Sequence, residues 1–218
     1  MDSSDTPRIH KRSKVDTDPK VSRAILREGF VCDVAHCDTS GSTPLPKSVP
    51  MVYAFDEKDE LLYLHGSPNS LRHLLSDTGV PVCLTVTLVD GIVLGRTAIH
   101  HSLNYRSVVV DGTATKVKHE DRMKALEVLT NHVVPGRWKE TRPLRAEELD
   151  ADEQKGRPGT EVLSIDLRKS TVASKHHAGG PTYEEKEDVE NSAYWAGEFP
   201  IRPAYGPPVP VDNLSPAA

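Results

Sequence analysis

The sequence predicts a mainly β fold: an antiparallel barrel, closed or partly closed, with a few peripheral helices. Three observations carry this expectation. Short runs rich in β-branched residues recur from Phe30 to Lys175. Stretches of helical spacing fill the gaps between them instead of alternating with them one by one, which argues against a βαβ architecture. Neither a Gly-x-Gly-x-x-Gly after a first strand nor a Gly-x4-Gly-Lys occurs, so the two standard nucleotide folds are disfavoured.

The elements follow in order. Asp18 and Pro19 predict a helix start, because aspartate caps free amides and proline fits the first turn. Val21, Ala24, Ile25 and Leu26 give that helix an apolar face, and Gly29 ends it. FVCDVAHC, VPMVYAFDE and ELLYLHG read as three strands of a meander, with Asp56 to Glu60 as the turn between the last two. Pro68 to Ser76 reads as a short helix with Leu71, Leu74 and Leu75 inward, bounded by Asp77 and Gly79. VPVCLTVTLVDGIVL reads as a buried strand with a tight reversal at Asp90-Gly91. YRSVVVDGTATKV is a strand pair or one bulged strand, with Gly112 marking the irregularity. Helical spacing from His119 to Val134 places Met123, Leu126, Val128, Leu129 and Val133 on one face before Pro135-Gly136. A further short helix is expected near Ala146 to Gln154, and EVLSIDLRKSTVASK alternates as a half-buried strand should.

The 218 residues suffice for one well-buried domain, expected over residues 18–212, with an extended arm at 1–17 and a flexible C-terminus at 213–218. A net charge of −5 with no basic stripe argues against a nucleic-acid partner. No apolar run has the length of a membrane span and the first residues lack a secretory pattern, so a cytoplasmic protein is expected. Cys32, Cys37 and Cys83 are expected as buried free thiols, since Cys-x4-Cys alone is a poor zinc pattern. The acidic run Tyr183 to Glu190 reads as a solvated charge run.

Three stretches carry candidate chemistry. In LYLHGSPNSLRH, His65 ends a strand, Gly66 permits a close approach, and Ser67, Asn69, Ser70 and Arg72 gather at a helix start, where amides, hydroxyls and a guanidinium suit a phosphate. The same residues would also make a capped turn with a surface arginine. In HHSLNYRSVVVDG, Ser102, Asn104, Tyr105, Arg106 and Ser107 precede an apolar strand. Arg106 suits a phosphate and Asn104 or Ser107 a polar ring edge, or the group forms an inter-strand polar network. In YWAGEFPIRPAYGPPVP, Trp195 and Tyr205 stand in a Gly/Pro-rich tail suited to wrapping a neighbouring surface.

Taken together, LHGS, SxNYRSVVVxG and the YWAGxxPxRxxYGxPxP tail resemble the pyridoxamine 5'-phosphate oxidase-like FMN-binding split barrels, nearest the nitroimidazole-resistance (Nim-type) flavin-nucleotide-binding branch, over residues 18 to 212. The resemblance implies a six-stranded antiparallel split β-barrel and a homodimer with FMN in two clefts lined by both subunits; FAD, a deazaflavin and haem are the alternatives. It implies an oxidoreductase acting on a small-molecule substrate, with NAD(P)H as donor, or else a flavin or haem carrier or sensor without fast turnover. By resemblance, Gly66, Ser67, Ser70 and Arg72 form the phosphate side, and His65 stands beside the ring. Asn104, Tyr105, Arg106 and Ser107 flank the flavin, and Trp195 and Arg202 reach the site from the partner. His65 and Tyr105 are the catalytic candidates, because an imidazole exchanges protons near neutrality and a phenol bonds a developing anion. One departure stands out: an Arg-Lys pair holds the phosphate in true pyridoxamine-phosphate oxidases, whereas His73 follows Arg72 here. No metal site is expected, since neighbours in a strand such as His100-His101 or His176-His177 face opposite sides.

Overall fold

Asp18 and Pro19 start the first helix in the computed structural model, which describes residues 15–76, 78–150, 159–182, 184–190 and 193–209. The Asp18 carboxylate accepts from the Lys20 amide at 2.9 Å, and α1 runs over Pro19–Glu28. Its buried side chains are Ser22, Ile25 and Leu26, while Ala24 is exposed. Most of the expected arm lies outside the described residues; its end forms a two-residue strand β1 (Val15–Asp16).

The meander is present. Strand β2 (Val31–Asp38) pairs antiparallel with β3 (Leu45–Asp56), and β3 with β4 (Leu61–Gly66) across the Asp56–Glu60 turn. The Asp56 carboxylate closes that turn by accepting from the Lys58 and Asp59 amides. Helix α2 is one turn only, Pro68–Leu71, shorter than the leucine spacing predicts.

Strand β5 is continuous over Val80–Leu94, so no reversal occurs at Asp90-Gly91. Gly91 is needed there for another reason: a Cβ would stand 2.8 Å from the Glu198 carboxylate and 3.1 Å from the Phe199 carbonyl. Strand β6 is likewise single, Ser102–Lys116. A Cβ on Gly112 would meet Ser170 Oγ at 2.4 Å, so this glycine admits a crossing chain where a bulge is expected. After helix α3 (His119–Val133), the last alternating stretch forms two strands, β7 (Glu161–Asp166) and β8 (Thr171–His177). A 3-10 turn at Leu167–Lys169 parts them, with Asp166 accepting from the Arg168 amide. The helix expected near residue 146 is a 3-10 turn over Ala146–Leu149, and residues 151–158 lie outside the described ones.

The pairing order β6-β7-β4-β3-β2-β5, closed by β5 on β6, makes a ring of six antiparallel strands. Its interior holds Val34, Tyr53, Leu62, Leu64, Leu84, Val86, Val108, Val110, Leu163 and Ile165, all at or below 1% exposure. A second cluster of Ala54, Tyr63, Val117, Ala125, Leu129 and Val162 forms under α3. The buried row of α3 is therefore Arg122, Ala125 and Leu129, with Leu126 and Val128 only partly covered. The Arg122 guanidinium is accommodated by the Thr160 carbonyl at 3.3 Å and the Glu161 carboxylate at 3.7 Å.

The chain divides into two compact units. One comprises residues up to Leu88 together with Tyr105–His177; the other comprises Val89–Asn104 and the residues from Ala178 on. Within the second unit, β9 (Gly197–Pro200) pairs with Gly91–Leu94. There Glu184 accepts from the Arg96 amide at 2.7 Å and also pairs with its guanidinium. The acidic run thus supplies a largely buried ion-pair partner at Glu184, while α4 (Lys186–Glu190) has no buried residue.

Candidate functional site

The end of β4 delivers the first candidate stretch. Ser67 caps α2, its hydroxyl accepting from the Ser70 amide at 3.2 Å and lying 2.8 Å from the Ser70 hydroxyl. The turn is thus capped from within, and a one-turn helix brings few free amides to a ligand. Leu71 and Leu74, 1% and 2% exposed, anchor it in the barrel core. Gly66 is approached by Leu71 of its own chain, since a Cβ there would stand 3.2 Å from Leu71 Cγ. His65 reaches solvent opposite Val162 of β7, yet the protein packed about it disfavours the charged form and lowers its pKa below the usual histidine value.

Beside this turn lies a cavity of about 230 Å³, lined by His36, Lys47 and Met51 from the β2–β3 hairpin and by Ser70, Arg72 and His73 from the turn. Cross-strand pairing of His36 with Lys47 puts both on one face, the face that carries Cys32 and Val34 inward. His36 is 9% exposed and neither ring nitrogen has a hydrogen-bond partner. Its ring stacks on that of His73 at 6.2 Å. Arg72 Nε donates to His73 Nε2 at 2.9 Å, and His73 Nδ1 stands 3.6 Å from the Asp38 carboxylate. For Nε2 to accept, the His73 proton must sit on Nδ1, facing Asp38. Sequence reasoning missed His36, Lys47 and His73; the available signal was a polar residue at an inward position of an apolar strand.

The second stretch lies on β6, where side chains alternate. Arg106 forms a two-pronged ion pair with Glu28 of α1, at 2.5 and 2.8 Å. Its guanidinium is thereby engaged by a carboxylate. On the other face Tyr105 has Lys175 Nζ 5.9 Å from its ring centre, and Ser107 Oγ donates to the Lys175 carbonyl at 3.4 Å. Asn104, in the second unit, is buried and donates to the Gly179 carbonyl at 3.2 Å. In the same unit, Trp195 rests against Phe199 at 5.3 Å while staying 60% exposed, and Arg202 is exposed beyond β9. The structure therefore gathers Ser67, Ser70 and Arg72 in one cluster, whereas β6 is separated from β4 in the sheet by β7.

The three cysteines are free: Cys32 is buried and Cys37 exposed, contrary to the expectation that all are buried. Burial pushes the Cys32 thiol up to about 12. Among the described residues no group of three His, Cys, Asp or Glu side chains could hold a metal ion. His100 and His101 do not lie on a strand; they bond locally to Thr97 and to the Gly95 amide. No helix among the described residues is long and apolar enough to cross a membrane.

Six antiparallel strands in a ring, with helices at the gaps, define a split β-barrel. The pyridoxamine 5'-phosphate oxidase family model matches residues 18–172, and the chain belongs to that family. Among solved structures it is similar to the FAD and heme binding protein from Mycobacterium smegmatis, 25% identical, TM-score 0.77, covering 93% of this chain and 91% of that one. It is also similar to the flavocytochrome Anf3 from Azotobacter vinelandii, 27% identical, TM-score 0.75, with 95% and 89% covered. A Bacteroides thetaiotaomicron protein that bears the designation 5-nitroimidazole antibiotic resistance protein shares the fold at 20% identity and TM-score 0.50, over 73% and 86%. No curated protein matches the chain by sequence.

Proposed function

We propose that this protein binds a flavin nucleotide at the junction of two identical subunits and uses it for redox chemistry on a small molecule. The observation that carries the reading is the family match over residues 18–172, which spans the whole ring of strands. FMN is the smallest ligand that meets it; the name of the similar M. smegmatis protein specifies FAD. The residues fit a phosphate-bearing ligand, since Arg72 and Lys47 border a cavity that holds the unpartnered His36 nitrogens.

The flavin would supply hydride and electron transfer. Ser67, Ser70 and Arg72 would hold its phosphate side, and Tyr105 and Ser107 would face its ring from the partner subunit, because β4 and β6 are not neighbours within one ring. Asn104, Trp195 and Arg202 would complete the partner's wall. Arg106, engaged by Glu28, orders β6 against α1 in this reading and is not a phosphate ligand. His65 is neutral near pH 7, because its surroundings lower its pKa, and so can take a proton or accept a hydrogen bond from a substrate. The homodimer is supported by exposed apolar side chains on the β2–β3 hairpin: Val31 at 48%, Leu45 at 53% and Val52 at 37%.

Anaerobic addition of NADH or NADPH to the flavin-loaded protein tests the redox reading: bleaching of the flavin is expected, and an unbleached flavin under both donors makes the protein a carrier or sensor. His65→Ala should slow turnover at full flavin occupancy; unchanged turnover ends the catalytic role of His65. A second reading, a flavin-haem protein, is favoured by the names of the two similar structures from M. smegmatis and A. vinelandii, and a Soret band would establish it.

A further inference from the structure

Outside the ring, against the start of α3, lies another cavity of about 320 Å³, near the lower end of the range of about 300–1,000 Å³ that holds small ligands. It shares no lining residue with the cavity at the β2–β3 hairpin. Its floor is made by Leu61 and Tyr63 of β4, Ser164 of β7 and Val117. Tyr63 and Ser164 pair directly across β4 and β7, so both project from the face opposite Leu62, Leu64, Leu163 and Ile165, which fill the ring. Tyr63 is 5% exposed, and among the described residues neither its hydroxyl nor that of Ser164 has a hydrogen-bond partner. Burial raises the pKa of the phenol and keeps it a donor. A hydroxyl so enclosed is costly to leave unpaired, and both of these open onto the cavity.

The rim carries charges of two kinds. Lys116 reaches the Glu161 carboxylate at 3.0 Å, and Lys124 is held by Asp59. Lys118 and Asp121, by contrast, have no ion-pair partner among the described residues and do not pair with each other. They occupy the N-cap and third positions of α3, side by side on a helix end that has no side-chain cap. Free amides there favour a carboxylate beside Lys118, while Asp121 suits an ammonium group. An α-amino acid carries those two groups on one carbon. We propose that this cavity binds a free α-amino acid with a polar, uncharged side chain. Lys118 and the α3 amides take its carboxylate, Asp121 takes its ammonium, and the Tyr63 and Ser164 hydroxyls take the polar end of its side chain, with Leu61 and Val117 along the methylene groups between. The inference does not rest on the flavin reading, since none of these residues belongs to the proposed flavin site.

The melting temperature of the full chain, measured with each of the common amino acids at high concentration, is the first test, because a ligand of the native state raises it. An amino acid with a polar, uncharged side chain should raise it, and calorimetric titration of that amino acid should be saturable. Acetylating its amine or converting its carboxylate to the amide should weaken binding about tenfold or more, the loss expected for a charge-assisted hydrogen bond. The exposed Asp121→Asn should cost as much. Tyr63→Phe keeps the ring in the cluster under α3, so the fold is retained, yet it should weaken binding about fivefold and shift the preference towards apolar side chains. No shift with any amino acid, an acetylated form that binds as well as the free one, or wild-type affinity in either variant overturns the proposal.

Discussion

Replacing Leu71 by alanine should both destabilise the protein and loosen the candidate site, and the size of the effect follows from packing. Leu71 is 1% exposed, belongs to the main core cluster, and shares with Leu74 the anchoring of a single helical turn. Truncating a buried leucine costs about 2–5 kcal/mol, depending on how well the site collapses. Here the facing residue is Gly66, which has no side chain to move into the gap, so the expected loss is about 3–4 kcal/mol. In a chain of 218 residues each kcal/mol lowers Tm by about 2–4 °C, which gives a drop of roughly 6–16 °C. Urea unfolding at an unchanged m-value measures the stability term, and FMN titration on the same samples measures the site. The exposed Asn69→Ala on the same turn serves as control and should stay within about 0.5 kcal/mol. A Leu71→Ala cost below about 1 kcal/mol, or a full loss of stability with the FMN affinity unaltered, would refute the claim that this side chain holds the turn in place.

Tyr53→Phe removes a fully buried hydroxyl that donates to the Leu26 carbonyl at 2.9 Å, and should cost about 1–2 kcal/mol in chemical denaturation because that carbonyl is left without its partner. Gly112→Ala should cost about 1–3 kcal/mol, since its methyl would meet Ser170 Oγ at 2.4 Å and Ile165 Cγ2 at 2.9 Å; a neutral result would mean that the β7–β8 turn yields freely. Stability should also fall with pH. His132 packs against Tyr53 with its ring tilted by 46° and bonds the Gly29 carbonyl, and burial lowers its pKa against the weaker raising effect of that bond. A folded-state pKa below the unfolded value of about 6.5 means that the stabilisation is complete above that pH and is lost as pH falls through the folded pKa. Tm should therefore drop from pH 7 to pH 5, and His132→Gln should make the curve shallower; an equally steep curve for the variant would place the titration elsewhere.

Where structure depends on residues close in the chain, the sequence was readable. The Asp18-Pro19 helix start, the Asp56–Glu60 turn and the alternation of β2 and β4 follow from local capping and pairing rules. The exceptions come from chain segments that meet across long separations. Asp90-Gly91 has the look of a turn, but its glycine serves the passage of β9, more than a hundred residues later in the chain by number. Gly112 serves Ser170 in the same way. The sequence places Arg106 on a strand among polar residues, as the structure does, yet its partner Glu28 stands 78 residues away on a helix. Solvation was the natural reading of the acidic run because nothing near Glu184 in sequence points to Arg96. The His36 cavity was illegible for a related reason: its floor, wall and rim come from β2, β3 and the turn after α2, and only His36 breaks an apolar pattern.

The visible spectrum of the purified protein, followed by mass spectrometry of whatever is released on denaturation, tests the flavin claim most directly. Flavin absorption bands and a released mass of FMN or FAD are the predicted result. A colourless protein whose melting temperature is unmoved by saturating FMN and FAD would contradict it, because a ligand that binds the native state must raise that temperature.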